Sequence, residues 1–296
     1  MELRGSVARA LVACSGGADS TLLARLVAES GVPARLVHVH HHWRPAAVHE
    51  EAHVRALGRR LGLPVQVVHL RPDPGGEGRE AGARAARYGW LARLARSDGS
   101  TVLTGHHAGD RLETLVMRLR EGSGLAGLAG LPAWGQWEDV PVHRPLVGWW
   151  RDQIVAALEA ADLGWCEDPG NADPAGVRAD VRHRVVPVVV AGASREALTR
   201  SLGLLHRDRE ALEVLLAPWL ERSRAGGADG AARVWHRRVL ADAPPAVRAA
   251  LVRTRSTEAG LPRVRQTWVD DLVRVIPGGE ARTVQGYRCE ARVEGD

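Results

Sequence analysis

Four short runs rich in Val and Leu, at residues 10–13, 35–39, 65–70 and 101–104, alternate with stretches whose apolar residues recur at helical spacing. The helical stretches are 21–29, 48–61 (apolar at 48, 54, 57 and 61) and 82–96, the last closed by Ser97, Asp98 and Gly99. Strands and helices alternating in this way predict an α/β fold, a doubly wound and mostly parallel sheet with its ligand at the carboxyl ends of the strands. Three loops that follow strands carry reactive side chains: SGGADS after the first, HVHHHWR after the second and GHHAGD after the fourth. The fold is expected to bring these loops together.

The first of them, within VACSGGADSTLL, joins the strand-like Leu11, Val12 and Ala13 to a helix starting near Asp19. Ser15, Gly16 and Gly17 can form a tight turn whose backbone N–H groups point at anionic oxygens, and the helix start adds its positive dipole end. The loop lacks both the GxxxxGK[ST] lysine and the GxGxxG spacing. The whole chain has no lysine, its 40 cationic side chains all being arginine. Backbone amides, hydroxyls, arginines and a metal ion must then balance phosphate charge. The complete SGGADS after a strand resembles the PP-loop of the N-type ATP pyrophosphatases, which implies an adenine-nucleotide α-hydrolase-like sheet and use of ATP.

At 296 residues the chain is expected to form two domains, 1–190 and 195–296. Phenylalanine is absent and aromatics are 4%, so the core must be built mainly from Leu, Val and Ala, leaving many of the 10 Trp for rim or surface packing. Residues 1–194 carry 22 Arg against 21 acidic residues, whereas 195–296 carry 18 against 14. The excess in the second part suits RNA as a partner there, and equally suits an arginine-rich solvated helical surface. Cys14, Cys166 and Cys289 give neither a disulfide framework nor a CxxC pair, which fits a reducing, cytoplasmic setting. The first residues run into the loop without a signal-peptide pattern, and no apolar run reaches the roughly 18 to 20 residues of a membrane span.

Further along, the glycine-rich stretch 121–136 follows a helix at 111–119 and reads as a mobile flap. Residues 195–222 read as a long amphipathic helix, with shorter ones at 245–255 and 265–275 and a terminal hairpin at 281–293. No repeats occur, and the only local bias is the AGGADGAA loop at 225–232.

TGHHAGDRLET, residues 104–114, concentrates His106, His107, Asp110 and Glu113 on a strand-to-helix turn. Asp110 and Glu113 are three apart, share a helix face and can jointly receive a cation, either Mg²⁺ or a substrate ammonium group. The longer stretch TGHHAGDRLETLVMRLREGSGLAGLAGLP resembles the signature of the bacterial tRNA(Ile)-lysidine synthetases. ARAARYGWL with Arg84, Arg87 and Tyr88, HRPLVGWWRDQI at 143–154 and WCEDPGNADPAGVRADVRHRVVP at 165–187 match further segments of that family in order. The resemblance covers roughly residues 10–187 and suggests a short member with a smaller, mainly helical tRNA-facing domain after it.

The resemblance implies a ligase of two steps. ATP adenylates the C2 oxygen of the wobble cytidine in an isoleucine tRNA with a CAU anticodon, releasing pyrophosphate, and the side-chain amine of free L-lysine then displaces AMP. It implies ATP contacts from Ser15, Gly16, Gly17, Ala18, Asp19 and Ser20, with His41 and Gly105, and makes Asp19 the Mg²⁺ partner. Asp110 and Glu113 would take the lysine ammonium groups, Arg87 its carboxylate, and His106 the proton, since an imidazole titrates near neutrality. Arg178 and Arg182 would meet the tRNA or the phosphates, and second-domain arginines such as Arg237 and Arg238 the tRNA. Which of His106 and His107 faces the reacting centre stays open here, as does the oligomeric state, a homodimer included.

The chain departs from the family pattern in three places. Gly109 precedes Asp110 where a polar residue is frequent, Gly170 stands where Ser follows Asp-Pro, and in HVHHHWR only His38 and His41 align, with His40 and His42 as local substitutions. Four histidines in five residues also invite a metal-site reading, but alternation on a strand is expected to aim them at opposite faces. Two rival functions carry different signatures. A PP-loop tRNA thiolase would need paired cysteines, which Cys14, Cys166 and Cys289 do not supply, and a nucleotide-gated RNA-binding protein would bind ATP and tRNA without lysine-dependent release of AMP.

Overall fold

A computed structural model describes residues 3, 6–40, 42, 47–70, 79–167, 177–224, 235–261, 264–278, 281–286 and 289–294. The chain divides into two compact units, Met1–His206 and Arg207–Asp296. The division falls twelve residues beyond the start of the helix expected at 195–222, so the beginning of that helix belongs to the first unit.

In the first unit the chain runs β1 (Ala10–Ala13), α1 (Ala18–Ser30), β2 (Ala34–His40), α2 (Ala47–Leu61), β3 (Val65–His69), α3 (Arg79–Asp98), β4 (Thr101–Leu103) and α4 (Ala108–Arg120). It continues through a short α5 (Leu125–Leu128), β5 (Trp134–Trp137), β6 (Val140–His143), α6 (Arg151–Glu159), α7 (Val177–Asp180), a π-helical turn (Val181–Val185) and α8 (Val186–Ala191) into α9 (Arg195–Arg222). The six strands are ordered β3-β2-β1-β4-β6-β5, parallel except for the antiparallel edge strand β5. Strand β1 therefore lies between β2 and β4, with Val12 opposite both Leu36 and Leu103. The order of the strands reverses between β1 and β4, which leaves a crevice at their carboxyl ends.

Helices cover both faces. Leu22, Leu23 and Val27 of α1 pack with Val54 and Leu57 of α2, Ile154 and Leu158 of α6, and Val12 and Leu36 of the sheet. On the other face Leu91, Ala92 and Ala95 of α3 pack on Leu11, Val37, Val68 and Val102. Each fully buried Leu or Val contributes about 1.5–3 kcal/mol, so a core without Phe is sufficient when it has this many aliphatic members. The doubly wound parallel sheet is the expected one, and the four strands named from sequence fall within a residue or two of their observed limits.

The β5–β6 hairpin was not anticipated. The stretch 121–136, read as a mobile flap, contains α5 and most of β5, and the tryptophans of β5 pack on neighbouring rings. Trp137 stacks on Tyr88 of α3 with ring centroids 4.6 Å apart, and Trp134 stacks on His143 of β6 at 4.0 Å. Among the described tryptophans only Trp150 and Trp268 are buried, in keeping with the expectation that many would pack at the rim or surface.

The second unit carries the rest of α9 with α10 (Arg237–Asp242), α11 (Pro245–Glu258), α12 (Gln266–Val275), a 3-10 turn (Ile276–Gly278) and the hairpin β7 (Arg282–Gly286) and β8 (Cys289–Val293). Its core gathers Leu216, Leu240, Leu251, Val252, Trp268, Val269, Leu272 and Val284. The Trp268 indole N–H donates to the Val284 carbonyl at 3.1 Å, joining α12 to the hairpin. No described helix is long and apolar enough to cross a membrane.

Two arginines of this unit are structural. Arg248 is buried and donates to the carbonyls of Leu240, Ala241, Ala243 and Val273 at 2.7–2.9 Å. These are last-turn or flanking carbonyls of α10 and α12, which have no partner within their own helices. Arg255, also buried, serves Ser223 and the Leu220 carbonyl at the end of α9. Replacing Arg248 by Met should strip several buried carbonyls of their donor at once and cost at least about 2 kcal/mol. Urea unfolding followed by tryptophan fluorescence measures this, and an unchanged midpoint would deny Arg248 its structural role.

Candidate active site at the β1–β4 switch point

The SGGADS loop leaves β1 and turns at Gly16, whose φ of +91° lies in the region that glycine occupies without strain. Its hydroxyls already occupy its donors. Ser20 Oγ accepts from the amides of Ser15 and Gly16 at 3.2 Å each, and Ser15 Oγ accepts from the Gly17 amide at 3.3 Å. Helix α1 begins directly after this turn, with Gly17 as its N-cap and no side chain capping it. The first amides of a helix lack intrahelical acceptors, so the start of α1 presents free donors and a positive dipole end to the crevice.

The loop after β4 approaches this helix start closely. A Cβ on Gly105 would lie 3.0 Å from the Asp19 carbonyl carbon and 3.1 Å from the Ser20 nitrogen, so any larger residue would press the two backbones apart by a few tenths of an ångström. On either side of Gly105, Thr104 Oγ1 and His106 Nδ1 are 2.8 Å apart. Burial pushes the His106 imidazole down to about 4, against the pull of nearby Asp110, so the ring is neutral near pH 7. His107 has a different task. It caps α4, its Nδ1 accepting from the Gly109 amide at 3.0 Å while its own amide donates to Asp110 Oδ2 at 3.0 Å. The histidine that lines the crevice is therefore His106.

Loops after β1 and β4, the middle of β2 and one face of α3 together enclose a cavity of about 400 Å³, within the range of small-ligand sites. Ser15, Gly17, Ala18, Asp19, Ser20, Gly105, His106 and Arg87 line it. Gly16 forms the turn behind them. Among the described residues no carboxylate pairs with Arg87; its guanidinium lies 5.7 Å from the Tyr88 ring centroid, and burial lowers its pKa. A half-buried cation that lines a cavity without a counter-charge among the described residues suits an anion.

Three lining residues were not singled out from sequence. Arg151 at the start of α6 donates to Asp19 Oδ1 at 2.6 Å. The signal for it was a basic residue at a helix start, where the dipole favours acids. His38 is buried, with Nδ1 at 2.9 Å from the Cys14 carbonyl oxygen and Nε2 without a partner. Cys166, whose amide donates to the Gly16 carbonyl at 2.9 Å, closes the cavity beside Cys14. Both thiols are pushed up by burial, Cys14 to about 11, and are protonated at neutral pH.

The carboxylate pair of α4 is arranged differently from the open cation site expected. Asp110 and Glu113 are not among the lining residues, and both face Arg178 of α7 and Arg182 of the π-helical turn. Glu113, buried, accepts from Arg182 Nε at 2.6 Å and from Arg178 Nε at 3.0 Å. Hydrogen bonding to Glu113 raises the Arg182 pKa. Asp110 is looser, its Oδ1 lying 3.6 Å and 3.9 Å from the two guanidinium groups. Burial by itself would raise the Asp110 carboxyl, but His107, His106 and Arg178 together hold it below its ordinary value. The two arginines expected at phosphates or tRNA thus neutralise the two carboxylates.

Arg237 and Arg238 belong to the second unit. Arg237 Nε donates to the Ile276 carbonyl at 2.9 Å, tying the start of α10 to the end of α12, whereas Arg238 is exposed. His41 and Gly170 lie outside the described residues.

A model of the PP-loop domain family matches residues 4–189. The chain belongs to the PP-loop domain family. Among curated PP-loop relatives, "tRNA(Ile)-lysidine synthase" of Bordetella pertussis is 42% identical over 197 residues, which is 62% of this chain and 60% of that protein. The protein of the same name from Bradyrhizobium diazoefficiens is 36% identical over 250 residues, 82% of this chain and 66% of that one. The chain thus matches about 60% of the length of the first of these relatives. Among solved PP-loop structures, the U34-tRNA thiolase NcsA from Methanococcus maripaludis, described with its [4Fe-4S] cluster, superimposes with a TM-score of 0.55. At 19% identity over 67% of this chain and 72% of that one, it shares the fold.

The close passage of Gly105 over the PP-loop sets a test. Gly105→Ala should push the α1 start away and weaken ATP binding at least about tenfold, the equivalent of about 1.4 kcal/mol. Gly148→Ala, where an added Cβ meets nothing within 4 Å, should leave it unchanged. Calorimetric titration with ATP reads both, and equal affinities would remove Gly105 from the cradle.

Proposed function

We propose that the chain is a tRNA(Ile)-lysidine synthetase, an ATP-dependent ligase that joins free L-lysine to C2 of the wobble cytidine in a CAU-anticodon isoleucine tRNA. The observation that carries the reading is a single cavity with an uncapped helix start on one side and neutral His106 on the other, beside a carboxylate-rich helix. The 42% identical relatives of that name support it.

In the first step the cytidine O2 attacks the α-phosphorus of ATP, and the bond to pyrophosphate breaks. The amides of Ala18, Asp19 and Ser20 are the donors for the phosphate oxygens, joined by the Ser15 hydroxyl and, by exchange from the Gly17 carbonyl, the Ser20 hydroxyl. Asp19 fits Mg²⁺, which typically takes one or two carboxylates with phosphate oxygens and, when bound, supplies charge neutralisation there. Arg151 engages one Asp19 oxygen, and a carboxylate has capacity for more.

In the second step the lysine side-chain amine attacks C2, and the bond from C2 to the AMP oxygen breaks. The tautomer of His106 that donates Nδ1–H to Thr104 Oγ1 leaves Nε2 to accept the proton lost by the amine. Asp110, with its loosely held Oδ1, is the acceptor for an ammonium group, while Glu113 holds Arg178 and Arg182 in place. Arg87 supplies the counter-charge for the lysine carboxylate or a phosphate. The free thiols of Cys14 and Cys166 suit a cytoplasmic enzyme.

Purified protein incubated with ATP, Mg²⁺, lysine and the isoleucine tRNA should yield lysidine by mass analysis of the wobble base, with one AMP per base modified. Equal modification of the methionine tRNA, or turnover without lysine, would falsify the proposal. Asp110→Asn should raise the KM for lysine at least about tenfold and leave the ATP affinity within twofold; a change in ATP affinity alone would move Asp110 to the nucleotide.

The pH profile carries a sign. Because the folded-state His106 pKa lies at about 4, below the ordinary imidazole value, the ring stays neutral from pH 5.5 to 8.5 and contributes no inflection there. The rate should rise with pH through that window as the lysine amine, with a free pKa of about 10.4, loses its proton. An inflection near 6.5 that disappears in His106→Gln would show the ring exposed and titrating. For the second unit, Arg238→Ala should weaken tRNA binding and flatten its salt dependence by about one unit of slope. An unaltered slope would take that arginine out of the tRNA contact.

A further inference from the structure

Strands β2 and β3 end side by side in parallel, with His40 directly opposite His69 in the register. Residues that pair across parallel strands present their side chains on one face, and the two rings lie 5.2 Å apart. His42 follows two residues after His40, and its backbone sits at φ +56°. That left-handed conformation costs a residue other than glycine about 1 kcal/mol. It returns the His42 ring against its neighbours, 4.1 Å from His40 and 5.1 Å from His69. His40 and His42 thus come together at the end of β2, and the third ring comes from the adjacent strand.

One nitrogen from each of the three rings lies within 4.8 Å of the others. His69 Nδ1 and His42 Nε2 are 3.1 Å apart, close to the roughly 3.3 Å edge of a tetrahedron built on Zn–N bonds of 2.0–2.1 Å. The far nitrogen of His69, Nε2, faces Glu51 Oε2 at 3.9 Å, and Glu51 is itself held by Arg55 at 2.9 Å. A carboxylate behind a histidine favours one tautomer of a ligating ring; Glu51 stands behind His69 Nε2 beyond hydrogen-bond distance, on the side opposite the Nδ1 that meets His42. None of the three histidines lines the nucleotide cavity.

We propose that His40, His42 and His69 form a binding site for one divalent transition-metal ion of the Zn²⁺ class, at the ends of β2 and β3 and separate from the nucleotide cavity. Three imidazoles with an open fourth position suit Zn²⁺, Co²⁺ or Ni²⁺ and disfavour Mg²⁺, which takes oxygen ligands. The ion replaces the proton shared between His42 and His69, and ties the two strand ends together.

The test uses the full chain free of any histidine tag, titrated with ZnCl₂ and separately with MgCl₂ without nucleotide. One Zn²⁺ per chain is expected, with no competition from Mg²⁺, and Co²⁺ in its place should give the visible absorption of a low-coordinate site. His42→Ala and His69→Ala, both at exposed positions, should each weaken Zn²⁺ at least about 100-fold, and Glu51→Gln about tenfold. His49→Ala, exposed on α2 and outside the cluster, should bind as the parent does. Zn²⁺ should also raise the melting temperature of the parent and not of His69→Ala. Binding that survives both cluster variants, that needs His106 instead, or that never saturates at one ion per chain overturns the proposal.

Discussion

The start of helix α1 has no side chain to satisfy its amides, and this single unmet requirement organises the first unit. Strand β1 lies where the winding of the sheet reverses, so the helix it feeds opens onto the crevice instead of a neighbouring crossover. Gly105 then brings the loop after β4 against the same helix start with little room for a Cβ. The donors for an anion and the ring of His106 are consequently fixed relative to one another by backbone contact. Side-chain packing only has to hold the frame.

Around this anion site the protein has arranged its charges so that few are left unanswered. Asp19 is held by Arg151, and Glu113 by Arg178 and Arg182. For Glu113, which is buried, the pairing removes an isolated buried charge that would be costly. These pairs also mean that substrate charge must enter by exchange, with a phosphate or an ammonium taking over a partner already engaged. Asp110 and Arg87 stand apart. Asp110 Oδ1 has only long contacts to arginine, and Arg87 has no carboxylate among the described residues.

Much of this was legible in the sequence because the parallel strands are buried on both faces and read as unbroken apolar runs. The loops that follow them are then fixed by topology, and SGGADS and GHHAGD could be placed together without coordinates. What escaped depended on partners distant in sequence. The β5–β6 hairpin is secured by Trp137 on Tyr88 and Trp134 on His143, contacts invisible to local glycine content. The arginine excess of the second part suited a polyanion partner and a solvated helical surface equally, and Arg248 and Arg255 belong to neither, being buried on helix-end carbonyls. Charge counting cannot separate a cap from a ligand. The histidines after β2 were judged by alternation along one strand, and the deciding ring, His69, comes from another.

The same spatial logic bears on the rival thiolase chemistry. Sequence spacing gave no cysteine pair, but the fold does line one cavity with Cys14 and Cys166. Proximity is not sufficient, because sulfur transfer and cluster ligation both use the thiolate. Burial raises the pKa of each thiol, and the nearest stabilising groups are weak donors: the Gly16 amide and Ser20 hydroxyl for Cys14, with Glu50 acting on Cys166 in the opposite sense. These sulfurs therefore behave as small apolar wall residues.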